Sequence, residues 1–131
     1  MKRTRNSSAK VIVAAIWLCL CLMPQTRDLC YSLPQVDEVK SGTAEFVYSD
    51  ATLQINASDQ AIINYSSFDI LANESVIINL PTNNAEILNR VTGGDPSQIL
   101  GRLECNGRVF LVNPNGVVIG ESASIAAAAV L

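Results

Sequence analysis

The sequence contains no histidine. That removes histidine-activated nucleophiles, histidine metal ligands and the usual general base near neutral pH. Cysteine is scarce too. Of the four, Cys19, Cys21 and Cys30 lie in the first 32 positions and only Cys105 lies beyond them. No disulfide can form within the chain after Ser32, so that part must be stabilised by backbone pairing and burial. Cys105, between Glu104 and Asn106, reads as a half-buried strand residue rather than a reactive thiol. Basic residues are few and uneven. Lys2, Arg3, Arg5, Lys10 and Arg27 precede Leu33; Lys40, Arg90, Arg102 and Arg108 follow it, against eleven acidic residues, a formal charge of −7. Such a surface repels phosphate backbones and anionic lipid, which argues against a nucleic-acid partner. With 49% hydrophobic residues the chain is composed for one folded domain.

The basic excess sits in one place. Met1–Lys10 is polar and basic, and Val11–Met23 is a charge-free apolar run of 13 residues closed by Pro24. A membrane span needs about 20 such residues, so the pattern is that of a signal peptide. Cys30-Tyr31-Ser32 offers a cleavage context, and a cut after Ser32 frees Leu33. Residues 1–32 are therefore expected to be a signal peptide and 33–131 the mature domain.

No helical period runs through the mature chain. Short bursts alternate apolar and polar residues, the period-2 pattern of strands. They are Thr43–Tyr48 (Phe46 and Tyr48 on one face), Thr52–Asn56 (Leu53 and Ile55 inward), Ala61–Tyr65, Phe68–Leu71 and Val76–Leu80. The anchors Ile55, Ile62, Ile70 and Ile78 recur every seven or eight residues, with turn formers between them. Three such beats make a coil of roughly 20–25 residues, a solenoid period. Asn56, Asn64, Asn73 and Asn79 recur near strand ends and can hydrogen-bond along a stack. Asn56, Asn64 and Asn73 also open Asn-x-Ser triplets, which read as strand corners. The same pattern fits a β-sandwich of hairpins, with Asn106-Gly107 and Asn115-Gly116 as hairpin turns.

The densest turn chemistry lies in Asn89–Gly120. Asn84–Val91 fits either a strand or a helical turn. Asp95 and Pro96 suit an N-cap and first helical position, which predicts one helical turn over Pro96–Leu100 ended by Gly101. Strands are expected at Arg102–Cys105, Arg108–Val112 and Val117–Ile119. The Asn113-Pro114-Asn115-Gly116 word between the last two is a turn: Pro114 fixes φ, and Asn115 and Gly116 tolerate unusual backbone. The run Ser124–Leu131 is small and apolar with no polar cap, so the solenoid is expected to be short and incomplete at its C-terminus. No residue looks catalytic or metal-binding. Asp69 with Glu74, and Asp95 with Arg102, read as solvated loop charges. The four scattered basic residues argue against polysaccharide-lyase chemistry.

Three words match a known family in order and spacing: Ala61–Ile70 (AIINYSSFDI), Leu88–Gly101 (LNRVTGGDPSQILG) and Asn106–Gly120 (NGRVFLVNPNGVVIG). Over about Thr52–Ile125 the chain resembles the N-terminal secretion domain of two-partner-secretion exoproteins, the filamentous haemagglutinin type of Gram-negative bacteria. It departs from the family in Tyr65, where tryptophan is usual, in Ile119, near the usual phenylalanine, and in lacking the later coils and long adhesin or toxin body.

The resemblance implies an all-β, right-handed parallel β-helix with no cofactor. It implies a secretion signal that crosses the inner membrane by the general secretory route. POTRA domains of an outer-membrane barrel then take it up, and it folds outside, at the cell surface or free. Residues expected to serve transporter recognition or fold nucleation are Asn113, Pro114, Asn115 and Gly116, then Asn89, Arg90 and Val91, then Asn64, Tyr65 and Phe68. A surface adhesin or carbohydrate-binding fragment facing host glycans, and a non-functional remnant, are the competing readings.

Overall fold

The computed structural model describes residues 32–130. The expected signal peptide, with Cys19, Cys21 and Cys30, lies outside the described residues but for Ser32. Twelve strands follow in order: β1 (Gln35–Ser41), β2 (Ala44–Ser49), β3 (Thr52–Ala57), β4 (Ala61–Ser67), β5 (Ser75–Asn79), β6 (Glu86–Val91), β7 (Ser97–Ile99), β8 (Arg102–Cys105), β9 (Arg108–Val112), β10 (Val117–Ile119), β11 (Ser124–Ala126) and β12 (Ala129–Val130). There is no helix among the described residues.

Apart from the β2–β3 pair, the strands pair with the coil above and below, not with their chain neighbours. Three sheets result, in orders β1-β4-β6-β9-β12, β11-β8-β5-β3-β2 and β10-β7. Among strands β3 to β12 all pairing is parallel. Thr52 lies beside Ser75 and Ser75 beside Arg102; Glu86 lies beside Arg108. Partners are thus roughly 20–27 residues apart, one solenoid coil. The chain is a right-handed parallel β-helix of about three coils. This decides between the two architectures left open by the sequence. Neither Asn106-Gly107 nor Asn115-Gly116 closes a hairpin, because the strands flanking each belong to different faces.

Inward residues stack in columns through the coils. Leu53, Val76, Leu103 and Ile125 form one column; Ile55, Ile78 and Cys105 another; Ala61, Ile87 and Val109 a third. Leu53, Ile55, Ala61, Ile78, Ile87, Leu103 and Val109 are all buried. Each of these leucine, isoleucine and valine side chains contributes about 1.5–3 kcal/mol of transfer free energy. The seven-to-eight-residue beat located Ile55, Ile70 and Ile78 in this core, but Ile62 faces outward between buried Ala61 and Ile63. Cys105 lies on its strand, as expected, but is buried rather than half-buried.

The asparagine stack forms in part. Asn79 Nδ2 donates to Asn56 Oδ1 at 3.0 Å, one coil apart. In the next coil Asn106 turns to the backbone instead: its Oδ1 accepts Leu80 N–H and its Nδ2 donates to Leu80 O, both at 2.7 Å. Asn73 takes no part in the stack, and Asn64 bonds to other partners described below.

Several local expectations give way to long-range pairing. Pro96–Leu100 holds no helical turn; it contains strand β7. Ser97 N–H donates to Gly116 O, Ile70 N–H to Gln98 O, and Leu100 N–H to Ile70 O at 2.7 Å. A helical turn would leave those buried backbone groups unmatched. Asp95 is therefore no N-cap. Phe68–Leu71 keeps only the bridge Ile70–Ile99 rather than a strand. The alanine-rich end is extended in β11 and β12. Tyr48 is half exposed at 51% while Phe46 packs against the core.

Strand β1 had no signal in the sequence. It runs antiparallel to β4, and β2 runs antiparallel to β3. Together they cover the free edges of the first coil, which would otherwise template foreign strands. Gly42, between them, has φ +77°, and a side chain there would press Ser58 Oγ.

Candidate functional site

The Asn113–Gly116 turn closes with Gly116 N–H donating to Asn113 O at 3.0 Å. Asn115 N–H donates to Asn113 Oδ1 at 2.9 Å, an Asx turn inside the β-turn. Gly116 has φ +106° with open space where a Cβ would stand, so glycine is needed there for backbone conformation alone. Pro114, Asn115 and Gly116 are exposed.

The two asparagines do more than shape the turn. Asn113 Nδ2 donates to Asp95 O at 3.0 Å and to Ser97 Oγ at 2.9 Å. Asn115 Nδ2 donates to Gly93 O at 2.8 Å. The turn is thereby fastened to the Gly93–Ser97 loop of the coil beneath. That loop rests in turn on the first coil: Thr92 N–H donates to Tyr65 O at 2.8 Å, and a Cβ on Gly93 would collide with Ser66 O. Three corners, Ser66, Gly93 and Asn115, are stacked in one ridge.

The other expected residues meet on the adjoining sheet. β4 and β6 pair so that Asn64 lies beside Arg90, and Tyr65 beside Val91. Outside, Arg90 Nε donates to Asn64 Oδ1 at 3.1 Å, and Asn64 Nδ2 donates to Glu38 Oε1 at 3.2 Å. This polar row crosses three strands. Inside, Tyr65 Oη donates to Asn89 Oδ1 at 2.9 Å, and Asn89 Nδ2 donates to Phe110 O at 3.3 Å. Asn89 and Tyr65 are wholly buried, and Val91 nearly so. Phe68 meets Tyr65 edge to face, with ring centroids 5.0 Å apart. Burial, and secondarily Tyr48, hold the Tyr65 phenol well above its ordinary value of 10.0. The structure thus sorts the expected residues into an exposed turn (Pro114, Asn115, Gly116), a half-exposed Arg90 bonded to a buried Asn64, and further buried members (Asn89, Val91, Tyr65, Phe68).

Two features escaped the sequence. Ile62, Leu88 and Phe110 align on the outer face of β4, β6 and β9, and line a shallow groove of about 290 Å³ with Gln60 and Glu86. A continuous apolar run such as Ala61–Ile63 hides which residue faces out. Glu74, read as a solvated loop charge, is buried at 2% exposure. Its Oε1 accepts Leu71 N–H at 2.8 Å and its Oε2 accepts Ser32 N–H at 2.9 Å. Nor does Arg102 pair with Asp95; it pairs with Glu104. No group of three or more His, Cys, Asp or Glu residues among the described residues is arranged to hold a metal ion. Burial raises the Cys105 thiol above 9.0, partly offset by the Gly107 N–H it accepts, so it is not an activated nucleophile.

Known proteins are similar to this chain. The profile of the TPS secretion domain, the two-partner-secretion type, matches residues 32–130. Two heme/hemopexin-binding proteins of Haemophilus influenzae are similar: one is 43% identical over 89 residues, 68% of this chain, and that of strain ATCC 51907 / DSM 11121 / KW20 / Rd is 42% identical over 94 residues, 71% of this chain. The match covers 10% of each, so the chain spans about a tenth of those relatives' length. The crystal structure of the HMW1 secretion domain from Haemophilus influenzae superposes with a TM-score of 0.69 at 42% identity, over 70% of this chain and 25% of that one. With a family match over residues 32–130 and a similar solved fold, the chain belongs to the two-partner-secretion family, as the TPS secretion domain of an exoprotein.

Proposed function

We propose that this domain is the address by which an outer-membrane barrel selects its passenger, and the seed on which the passenger's β-helix is wound outside the cell. Membership in the family implies an exported protein of a Gram-negative bacterium and a dedicated outer-membrane transporter. The finer steps are the proposal. Residues 1–32 act as a signal peptide for the general secretory route and are removed, leaving 33–131. POTRA domains in the periplasm capture the chain unfolded, by pairing with its short strands. The chain after Ser32 carries no disulfide to obstruct threading.

The observation that carries the reading is the corner ridge. Pro114, Asn115 and Gly116 are exposed, yet Asn113 and Asn115 donate back to Asp95, Ser97 and Gly93 one coil earlier. The same residues can be read by a partner and can fasten each new coil to the last. Successive fastening outside favours outward movement, because each coil templates the next. Arg90 adds a half-exposed charge held by buried Asn64, while Asn89, Val91, Tyr65 and Phe68 serve nucleation from within.

The test is co-expression with a cognate POTRA-bearing barrel, scoring release into the medium. Release is expected only with the barrel, and Asn115→Ile is expected to abolish it. Release without any barrel, or undiminished release of the Asn115→Ile chain, would sink the reading.

A further inference from the structure

Glu74 is buried, yet the ion pairs among the described residues do not include it; they join Lys40 to Glu38, Arg102 to Glu104 and Arg108 to Glu86. Its carboxylate is held by two neutral backbone donors, Leu71 N–H and Ser32 N–H. Taking a carboxylate out of water costs several kcal/mol unless an opposite charge accompanies it. One of the two donors lies at the junction where the signal peptide is expected to be cut. Hydrolysis there adds water across a peptide bond. It leaves a carboxylate on the departing segment and an amine on the retained one, which takes up a proton at neutral pH.

We propose that Glu74 is a built-in receptor for that new α-ammonium, at Leu33 after a cut behind Ser32, or at Ser32 after a cut one residue earlier. The inference rests on the secretion reading, since it needs the leader to be removed. Consecutive backbone nitrogens are separated by at most about 3.6 Å. An ammonium on Leu33 therefore starts no more than about 3.6 Å from the position that Ser32 N–H occupies on Glu74 Oε2, so a short movement of the freed end brings it onto the carboxylate. The segment that would carry it is anchored without the leader. Leu33 is buried, its carbonyl accepts Gln35 Nε2 at 2.9 Å, and Pro34 O accepts Tyr48 Oη at 3.0 Å. A released terminus is thus held beside the carboxylate. Processing converts a neutral hydrogen bond into a charge-paired one and completes the cap over the first coil. A precursor that keeps its leader lacks this charge.

The experiment compares two amines in one molecule. The full chain carries a protease site installed immediately before Leu33, and the cut and uncut forms are melted side by side. The cut form is then treated briefly with an acylating reagent, and acylation of the Leu33 amine is compared with that of Lys40, which is 59% exposed. In a flexible chain the α-amine reacts ahead of lysine, because its ordinary pKa is lower. Ion pairing to Glu74 reverses the order: each unit of raised α-amine pKa removes about tenfold of the reactive free base. Expected results are a higher Tm after cutting, an α-amine slower than Lys40 in the folded chain, and the ordinary order restored in denaturant and in Glu74→Gln. An α-amine that outpaces Lys40 in the folded cut chain overturns the proposal, whether or not the variant folds. So does a Glu74→Gln chain that folds and keeps the protection. Failure of barrel-dependent release with a protected amine would instead defeat the secretion reading alone.

Discussion

Tyr65 donates its hydroxyl to Asn89 Oδ1 at 2.9 Å inside the solenoid, one coil apart and 24 residues apart in sequence. Both are buried, so each is the other's substitute for water. Tyr65→Phe is expected to lower the unfolding free energy by about 1–3 kcal/mol, the cost of stranding a buried acceptor. Asn89→Ala should cost more, since the Phe110 carbonyl also loses its donor. A urea double-mutant cycle should show coupling between the two; strict additivity would mean that the bond contributes nothing of its own.

The same burial sets an alkaline limit. The folded Tyr65 phenol holds its proton above the ordinary value of 10.0, so the unfolded chain ionises first. Its contribution is complete below about pH 10 and is lost as pH rises beyond that. Cys105, raised above 9.0 by burial, starts the same loss earlier, and Tyr48, raised by burial, adds to it. Stability from urea titrations should therefore decline from about pH 9 upward. Tyr65→Phe should flatten the slope above about pH 10.

Adjacent glycines should behave differently. A Cβ on Gly93 meets Ser66 O, whereas one on Gly94 meets nothing within 4 Å. Gly93→Ala is expected to reach or exceed the top of the ~1–3 kcal/mol overpacking range. Gly94→Ala should stay within about 0.5 kcal/mol of wild type. Gly116→Ala, strained at φ +106° but unobstructed, should fall between them at about 1 kcal/mol. Thermal melts of the three variants give the ranking.

Asn106 bonds both backbone groups of Leu80 with one amide. Asn106→Asp keeps the acceptor for Leu80 N–H but faces Leu80 O with an oxygen in place of a donor. A loss of about 1–3 kcal/mol is expected at neutral pH. It should shrink as pH falls through the new carboxyl's titration, because a protonated oxygen can donate. A loss independent of pH would show that the amide donor is dispensable.

The sequence by itself determined where the chain turns and which residues want the interior. Asn113–Gly116 is a turn in any fold, because Pro114 and Gly116 dictate their own backbone. The spacing of Ile55, Ile70 and Ile78 set a beat that only short strands can follow. The order of the family words identified the domain. Tertiary structure decided what those turns join. Asn106-Gly107 and Asn113–Gly116 are corners rather than hairpins because the partners of β8, β9 and β10 lie a coil away, beyond the reach of any local pattern. For the same reason Ser97–Ile99 is a strand, although Asp95-Pro96 reads locally as a helix start: its hydrogen bonds are supplied by Ile70 and Gly116. β1 earns its place only by pairing with β4, and Ile62 faces out only because its neighbours face in. Glu74 shows the limit most plainly. A glutamate in a loop reads as solvated, and only the folded chain brings it under cover and sets Ser32 against it.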